Sequence, residues 1–166
     1  MGKAQTLDPA VDNEIQDAAH RLLEKACERS IMLATAESCT GGMVASLLTD
    51  VPGISHAFDR GFVTYTEEAK NEMLGVPLEL IADKGVVSRE VAIAMAEGGL
   101  EHCRANILLA VTGYADSGEE PGLVHFACAR AGRKTLHREE HFGPIGRGPV
   151  RVQSMRVAVE MMTEML

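Results

Sequence analysis

The sequence has no tryptophan, two tyrosines and four phenylalanines, so aromatic residues are only 4% of the chain. That scarcity argues against an aromatic platform for stacking single-stranded bases. Basic residues are few and scattered: 16 Lys and Arg stand against 24 Asp and Glu, for a formal charge of −8. Duplex binding needs a basic stripe, so no nucleic-acid partner is expected, although a local anion site is compatible with this balance. The four cysteines, Cys27, Cys39, Cys103 and Cys128, form no C-x-x-C pair, which removes a zinc ribbon or a thioredoxin motif. No apolar run approaches the roughly 18 residues of a membrane span, and no signal-peptide pattern opens the chain. The expectation is a cytoplasmic protein with reduced thiols and no membrane partner. The opening M-G-K-A-Q-T matches the loose myristoylation pattern, but so short a match carries little weight. A P-loop and a dinucleotide glycine fingerprint are both missing.

What is present is a core. Hydrophobic residues are 46% of 166, enough for one domain over residues 1–166 without disulfides, with residues 1–8 read as a flexible tail. Apolar residues recur at helical spacing from about Asp8 to Arg29. A short apolar run, Ile31 to Ala34, reads as a strand, and Met43 to Leu48 as a helix ending at Val51-Pro52-Gly53. His56 to Thr66 holds the β-favouring F-V-T-Y-T, with Gly61 marking a bulge or a close approach. Glu67 to Leu74 and Pro77 to Ala82 read as short helices, and Ser88 caps a longer one reaching about Cys103. Asn106 to Gly113 is a nearly unbroken apolar run, as for a strand buried on both faces. Tyr114 to Gly122 is loop chemistry. Leu123–Arg130 and Lys134–Phe142 alternate as a hairpin around Ala131-Gly132. After a loop at residues 143–149, Val150 to Leu166 is a final amphipathic helix. Strands that alternate with helices early and pair late predict an α/β fold, a three-layer α/β/α sandwich with a mixed, mostly parallel sheet.

The chemistry concentrates at Thr35 to Gly42, T-A-E-S-C-T-G-G, between the first strand and the next helix. Gly41 and Gly42 allow a sharp turn and a close approach of a ligand to the backbone. A helix start there would offer free N–H groups to an anion or a developing oxyanion beside the Ser38 hydroxyl. The same letters also fit an ordinary connection in which Ser and Thr cap a helix. Lys70, in Y-T-E-E-A-K after the second strand, is the candidate base: a lysine partly removed from water loses basicity and can take the Ser38 proton directly or through the Tyr65 phenol. A solvated lysine paired with Glu67 is the plainer alternative. Cys39 is a rival nucleophile. Arg147 and Arg151, on one face at the start of the last helix, suit either a phosphate clamp or two surface charges. His137-Arg-Glu-Glu-His141 has the letters of an H-x-x-E-H zinc motif but alternates like a strand, where His137, Glu139 and His141 form a solvated face; no metal is expected.

Taken together, A-E-S-C-T-G-G, R-G-F-V-T-Y-T-E-E-A-K, G-V-V-S, A-V-T-G and G-R-G-P-V-R resemble the CinA C-terminal domain family, the nicotinamide-nucleotide amidases, from about Ile15 to the C-terminus. The resemblance implies an α/β/α, metal-independent serine amidase without a cofactor, converting the carboxamide of nicotinamide mononucleotide to the acid and ammonia. It puts Ser38 at the nucleophile, Lys70 at the base and Tyr65 beside it. It implies that Glu37, Thr40, Gly41 and Gly42 in the nucleophile loop, and Thr112 and Gly113 in the loop after the buried strand, bind substrate. Arg147 and Arg151 fall at the basic pair, where the helix-start argument places the nucleotide phosphate. The expected partner is a small-molecule nucleotide; a homo-oligomer stays open. The chain departs from the family after Thr112-Gly113, where Asp116 and Ser117 replace a glycine and a proline. A carboxylate there would repel a phosphorylated substrate. This departure favours the alternative of a weakly active or inactive nucleotide-binding or assembly module. Many family members carry a larger N-terminal domain, so this chain is expected to be a stand-alone amidase domain.

Overall fold

A computed structural model describes residues 11–166. The tail and the myristoylation-like opening lie outside the described residues, as does the first part of the helix expected from Asp8. The helix α1 is seen over Asn13–Glu28, capped by the Asp12 side chain, which accepts from the Ile15 N–H at 3.0 Å. The remaining elements follow in the expected order: β1 (Leu33–Glu37), α2 (Met43–Thr49), β2 (Phe58–Val63), α3 (Glu67–Leu74), α4 (Leu78–Lys84), α5 (Arg89–Glu101), β3 (Ile107–Gly113), β4 (Leu123–Arg130), β5 (Leu136–His141) and α6 (Arg147–Met165). As expected, Ser88 caps α5, accepting from the Val91 N–H.

The five strands form one mixed sheet in the order β2-β1-β3-β4-β5. β1 pairs in parallel with both β2 and β3, while β4 runs antiparallel to β3 and β5 antiparallel to β4. Helices cover both faces. Leu33, Ile107, Leu109, Val111, Phe126 and Cys128 point into a core shared with α1, α2 and α6. Ala34, Ala36, Leu108, Ala110, Ala127 and Ala129 face α3, α4 and α5. The second face is built mostly of alanine, so α5 approaches the sheet closely: a Cβ on Gly99 would stand 2.7 Å from Leu108 Cδ1, and one on Gly98 would stand 1.9 Å from the Leu74 carbonyl oxygen of α3. The sandwich expected from the strand and helix order is the fold observed.

Several boundaries differ from the sequence reading; β2, for one, closes at Val63, short of the expected Thr66. β1 starts later than Ile31 and runs on through Thr35, Ala36 and Glu37, because it is central and its backbone is paired on both sides up to Glu37. Helix α6 begins at Arg147, not Val150. Pro149 falls in its first turn, where a missing N–H costs nothing. Gly61 marks a close approach: a Cβ there would sit 2.9 Å from Thr35 Oγ1 and 3.0 Å from Ala45 Cβ.

This topology decides where the chemistry falls. The carboxyl ends of β1, β2 and β3 lie at one edge of the sheet, where ligands collect in open α/β sheets. Ser38 follows β1, Thr64 follows β2, and Thr112 and Gly113 end β3. β5 ends at the same edge, so the start of α6 is delivered there too.

Candidate active site

Ser38 is held by its own N–H, which donates to the Val111 carbonyl at 3.0 Å across the end of β3. Its hydroxyl is 8% exposed as a residue and opens to a cleft of about 240 Å³. Behind it lies Lys70, on α3 and fully buried. The Lys70 amine stands 3.0 Å from Ser38 Oγ, 2.7 Å from the Thr64 carbonyl oxygen and 3.5 Å from that of Tyr65. Burial pulls its pKa from 10.5 down to about 8, while the nearby Cys39 and Glu67 act weakly in the other direction. The two carbonyls only accept. They fix the amine hydrogens, and when the amine is neutral its lone pair is left for the Ser38 O–H. The surface-lysine alternative does not describe this side chain.

The Ser38 loop is braced from below by Glu37, which is itself fully buried. One carboxyl oxygen accepts from Thr40 Oγ1 at 2.6 Å and from the N–H groups of Gly42 and Val44 at 3.1 Å each. The other accepts from the Ala45 N–H at 2.8 Å. This corrects the expectation of free N–H groups at the start of α2: Glu37 takes them. Gly41 and Gly42, with φ of 57° and 96°, let the loop turn back over that carboxyl group. Above the loop, Arg151 donates from Nη2 to the Thr40 carbonyl at 3.0 Å. The N–H groups of Cys39 and Thr40 have no acceptor among the described residues.

The cleft in front of Ser38 is lined by Cys39, Tyr65, Val86, Val87, Thr112, the Gly113–Ser117 segment and Arg147. Thr112 is buried, with its hydroxyl donating to the Val86 carbonyl at 2.9 Å. Tyr65 contributes its main-chain carbonyl to Lys70, but its side chain is 67% exposed and lies beside the Arg147 guanidinium. Among the described residues its phenol bonds neither Ser38 nor Lys70, and the Ser38 hydroxyl meets the Lys70 amine directly. Cys39 is buried, and burial pushes its thiol up to about 12, far from the low value a thiolate nucleophile needs.

The two arginines expected to act together have different partners. Arg151 is committed to the loop, and its buried Nε has no partner among the described residues. Arg147 faces the cleft and is held by Asp116: Nη2 to Oδ1 at 2.5 Å and Nε to Oδ2 at 3.2 Å. Asp116 therefore does not stand as a free carboxylate. The H-x-x-E-H segment lies on β5, as the alternation indicated. His137 Nε2 and His125 Nδ1 are 3.0 Å apart, and His141 bonds Glu120 and Glu139 at 2.5 and 2.7 Å. No helix of the described residues is long and apolar enough to cross a membrane.

The family model of the CinA C-terminal domain matches residues 15–166. The chain belongs to the CinA C-terminal domain family. Among CinA relatives, the nicotinamide-nucleotide amidohydrolase PncC of Escherichia coli K12 is 40% identical over 154 residues, covering 90% of this chain and 93% of that protein. A putative competence-damage inducible protein of Symbiobacterium thermophilum is 51% identical over 128 residues, 74% of this chain; there the match spans only 29% of the relative's length. In three dimensions the competence/damage inducible protein CihA of Agrobacterium tumefaciens superposes with a TM-score of 0.90 at 42% identity, covering 93% of this chain and 96% of that one. The CinA assignment thus extends over both the sheet and the loops that carry Ser38 and Lys70.

Proposed function

We propose that this chain is an amidohydrolase acting on nicotinamide mononucleotide, with Ser38 as nucleophile and Lys70 as its base. The observation that carries this reading is the fully buried Lys70 amine 3.0 Å from the Ser38 hydroxyl, with two carbonyls fixing its hydrogens. The 40% identity to a protein named for this activity supports the substrate.

An amide is a weak electrophile with a poor leaving group, so it needs a strong attacking oxygen and a proton for the departing nitrogen. The neutral Lys70 amine removes the Ser38 proton as Oγ bonds to the carboxamide carbon. The carbonyl oxygen becomes an oxyanion, and the Cys39 and Thr40 N–H groups are its donors. Lys70 then gives its proton to the amide nitrogen. The C–N bond breaks, ammonia leaves, and the acyl group stays on Ser38. Water, deprotonated by the same amine, attacks that ester; Lys70 returns the proton to the departing Ser38 Oγ, and nicotinate mononucleotide is released. Glu37 and Arg151 act as positioning residues by holding the loop from opposite sides. Each role is filled by side chains and backbone, so the reaction as proposed needs no metal.

The test is ammonia release from nicotinamide mononucleotide. Ser38→Ala and Lys70→Ala are each expected to lower kcat by at least about 10³-fold while the far-UV spectrum is kept. Turnover that survives in both variants contradicts the mechanism. Tight binding of the mononucleotide by the wild-type chain with no acid product supports the non-catalytic binding module instead.

A further inference from the structure

The guanidinium that lines the cleft is not free. Arg147 and Asp116, 31 residues apart in sequence, meet through two N–H···O bonds in the fork geometry of a bidentate pair. Their side chains are 45% and 40% exposed, so the pair lies at the mouth of the cleft rather than in the interior. Arg151 does not line the cleft, because it donates to the Thr40 carbonyl. A phosphate entering the cleft has two options. It can displace Asp116 from Arg147, or it can sit against a neutralised pair whose carboxylate repels it.

Ligand charge sharpens the contrast. The ring of an N-ribosyl nicotinamide is a cation. The nucleoside therefore carries one positive charge, while the phosphate dianion makes the nucleotide negative overall. The formal charge of the chain, −8, favours the cation in the same direction. We infer that Asp116 sets the substrate range of this site: by engaging Arg147 internally it lets the unphosphorylated nucleoside carboxamide bind at least as well as the nucleotide. The inference rests on the carboxamide-hydrolysis reading above and adds a second substrate to it.

The test is calorimetric and uses a chain that cannot turn over. Nicotinamide mononucleotide and nicotinamide riboside are titrated, at one ionic strength, into Ser38→Ala, into the same chain with Asp116→Asn, and into the triple variant that adds Arg147→Gln. In Ser38→Ala the riboside Kd is expected to equal or fall below that of the nucleotide. Asp116→Asn frees the guanidinium and is expected to tighten the nucleotide about tenfold relative to the riboside. Adding Arg147→Gln removes both charges and is expected to return the ratio to within about threefold of the parent. A nucleotide bound ten times more tightly than the riboside with Asp116 in place overturns the inference. So does a ratio that Asp116→Asn leaves unmoved, a loss of riboside binding in that variant, or a failure of both ligands to bind at millimolar concentration. Ammonia release by the Ser38 chain is scored separately. Its absence with both compounds, beside the expected Kd ratios, removes the amidase reading and leaves the selectivity standing.

Discussion

Burying a lysine amine destabilises the fold in a way that pH can reveal. Lys70 has an ordinary value of 10.5 and a folded value of about 8. Between those values the unfolded chain binds the extra proton, so stability rises as pH rises. The penalty is fully present below pH 8 and disappears toward pH 10.5. A shift from 10.5 to about 8 corresponds to about 3 kcal/mol at pH 7. About 2 kcal/mol of it is relieved by pH 9.5. Other groups titrate in this range, including the buried Cys39 and Cys128 thiols. The quantity to measure is therefore the difference between the wild type and Lys70→Met, which keeps the side-chain length and loses the amine. Urea unfolding of both chains at several pH values from 7 to 9.5 gives that difference. The wild type is expected to gain about 2 kcal/mol on the variant over this range. Parallel stability curves would mean that Lys70 titrates near its ordinary value and would refute the argument. The same shift leaves roughly a tenth of Lys70 neutral at pH 7, about 300-fold more than an ordinary lysine. In line with this, kcat/KM is expected to rise tenfold per pH unit up to about 8 and then level off.

Other expectations follow from individual contacts. Cys39→Ser is expected to keep amidase activity within about threefold of wild type, because a thiol held near 12 is not the attacking group; loss of activity with retained folding contradicts this. Glu37→Gln replaces a fully buried acceptor of four hydrogen bonds with a group that is half donor. It is expected to lower stability by at least about 2 kcal/mol in urea unfolding and to lower kcat, and a neutral outcome would mean the loop holds itself. Gly98→Ala drives a methyl into the Leu74 carbonyl and is expected to cost more than about 2 kcal/mol; a thermal midpoint equal to wild type would show that α5 can move away.

The sequence made the element order legible through unbroken apolar runs for the central strands, a helical stripe in α1, and glycine or proline at the breaks. Ser38 and its two glycines were legible as the turn between the first strand and the next helix. That Lys70 reaches Ser38 depends on β2 lying beside β1, which strand order fixes and local letters do not. The role of Glu37 was not legible. Its partners are N–H groups that converge only once Gly41 and Gly42 have turned the loop over it. Arg147 and Arg151 look equivalent in sequence, yet Arg151 meets a carbonyl and Arg147 meets Asp116, 31 residues earlier. Asp116 was read as a free charge because its counter-ion comes from a distant element.

The most direct measurement is the identity of the atom that carries the acyl group. Rapid quenching of the wild-type chain with nicotinamide mononucleotide above pH 8, followed by peptide mass mapping, is expected to show a nicotinate-nucleotide ester on Ser38 that is absent in Lys70→Met. An adduct on Cys39, or continuing ammonia release with the same ester yield when Lys70 is methionine, would contradict the assignment of Lys70 as the base that activates Ser38.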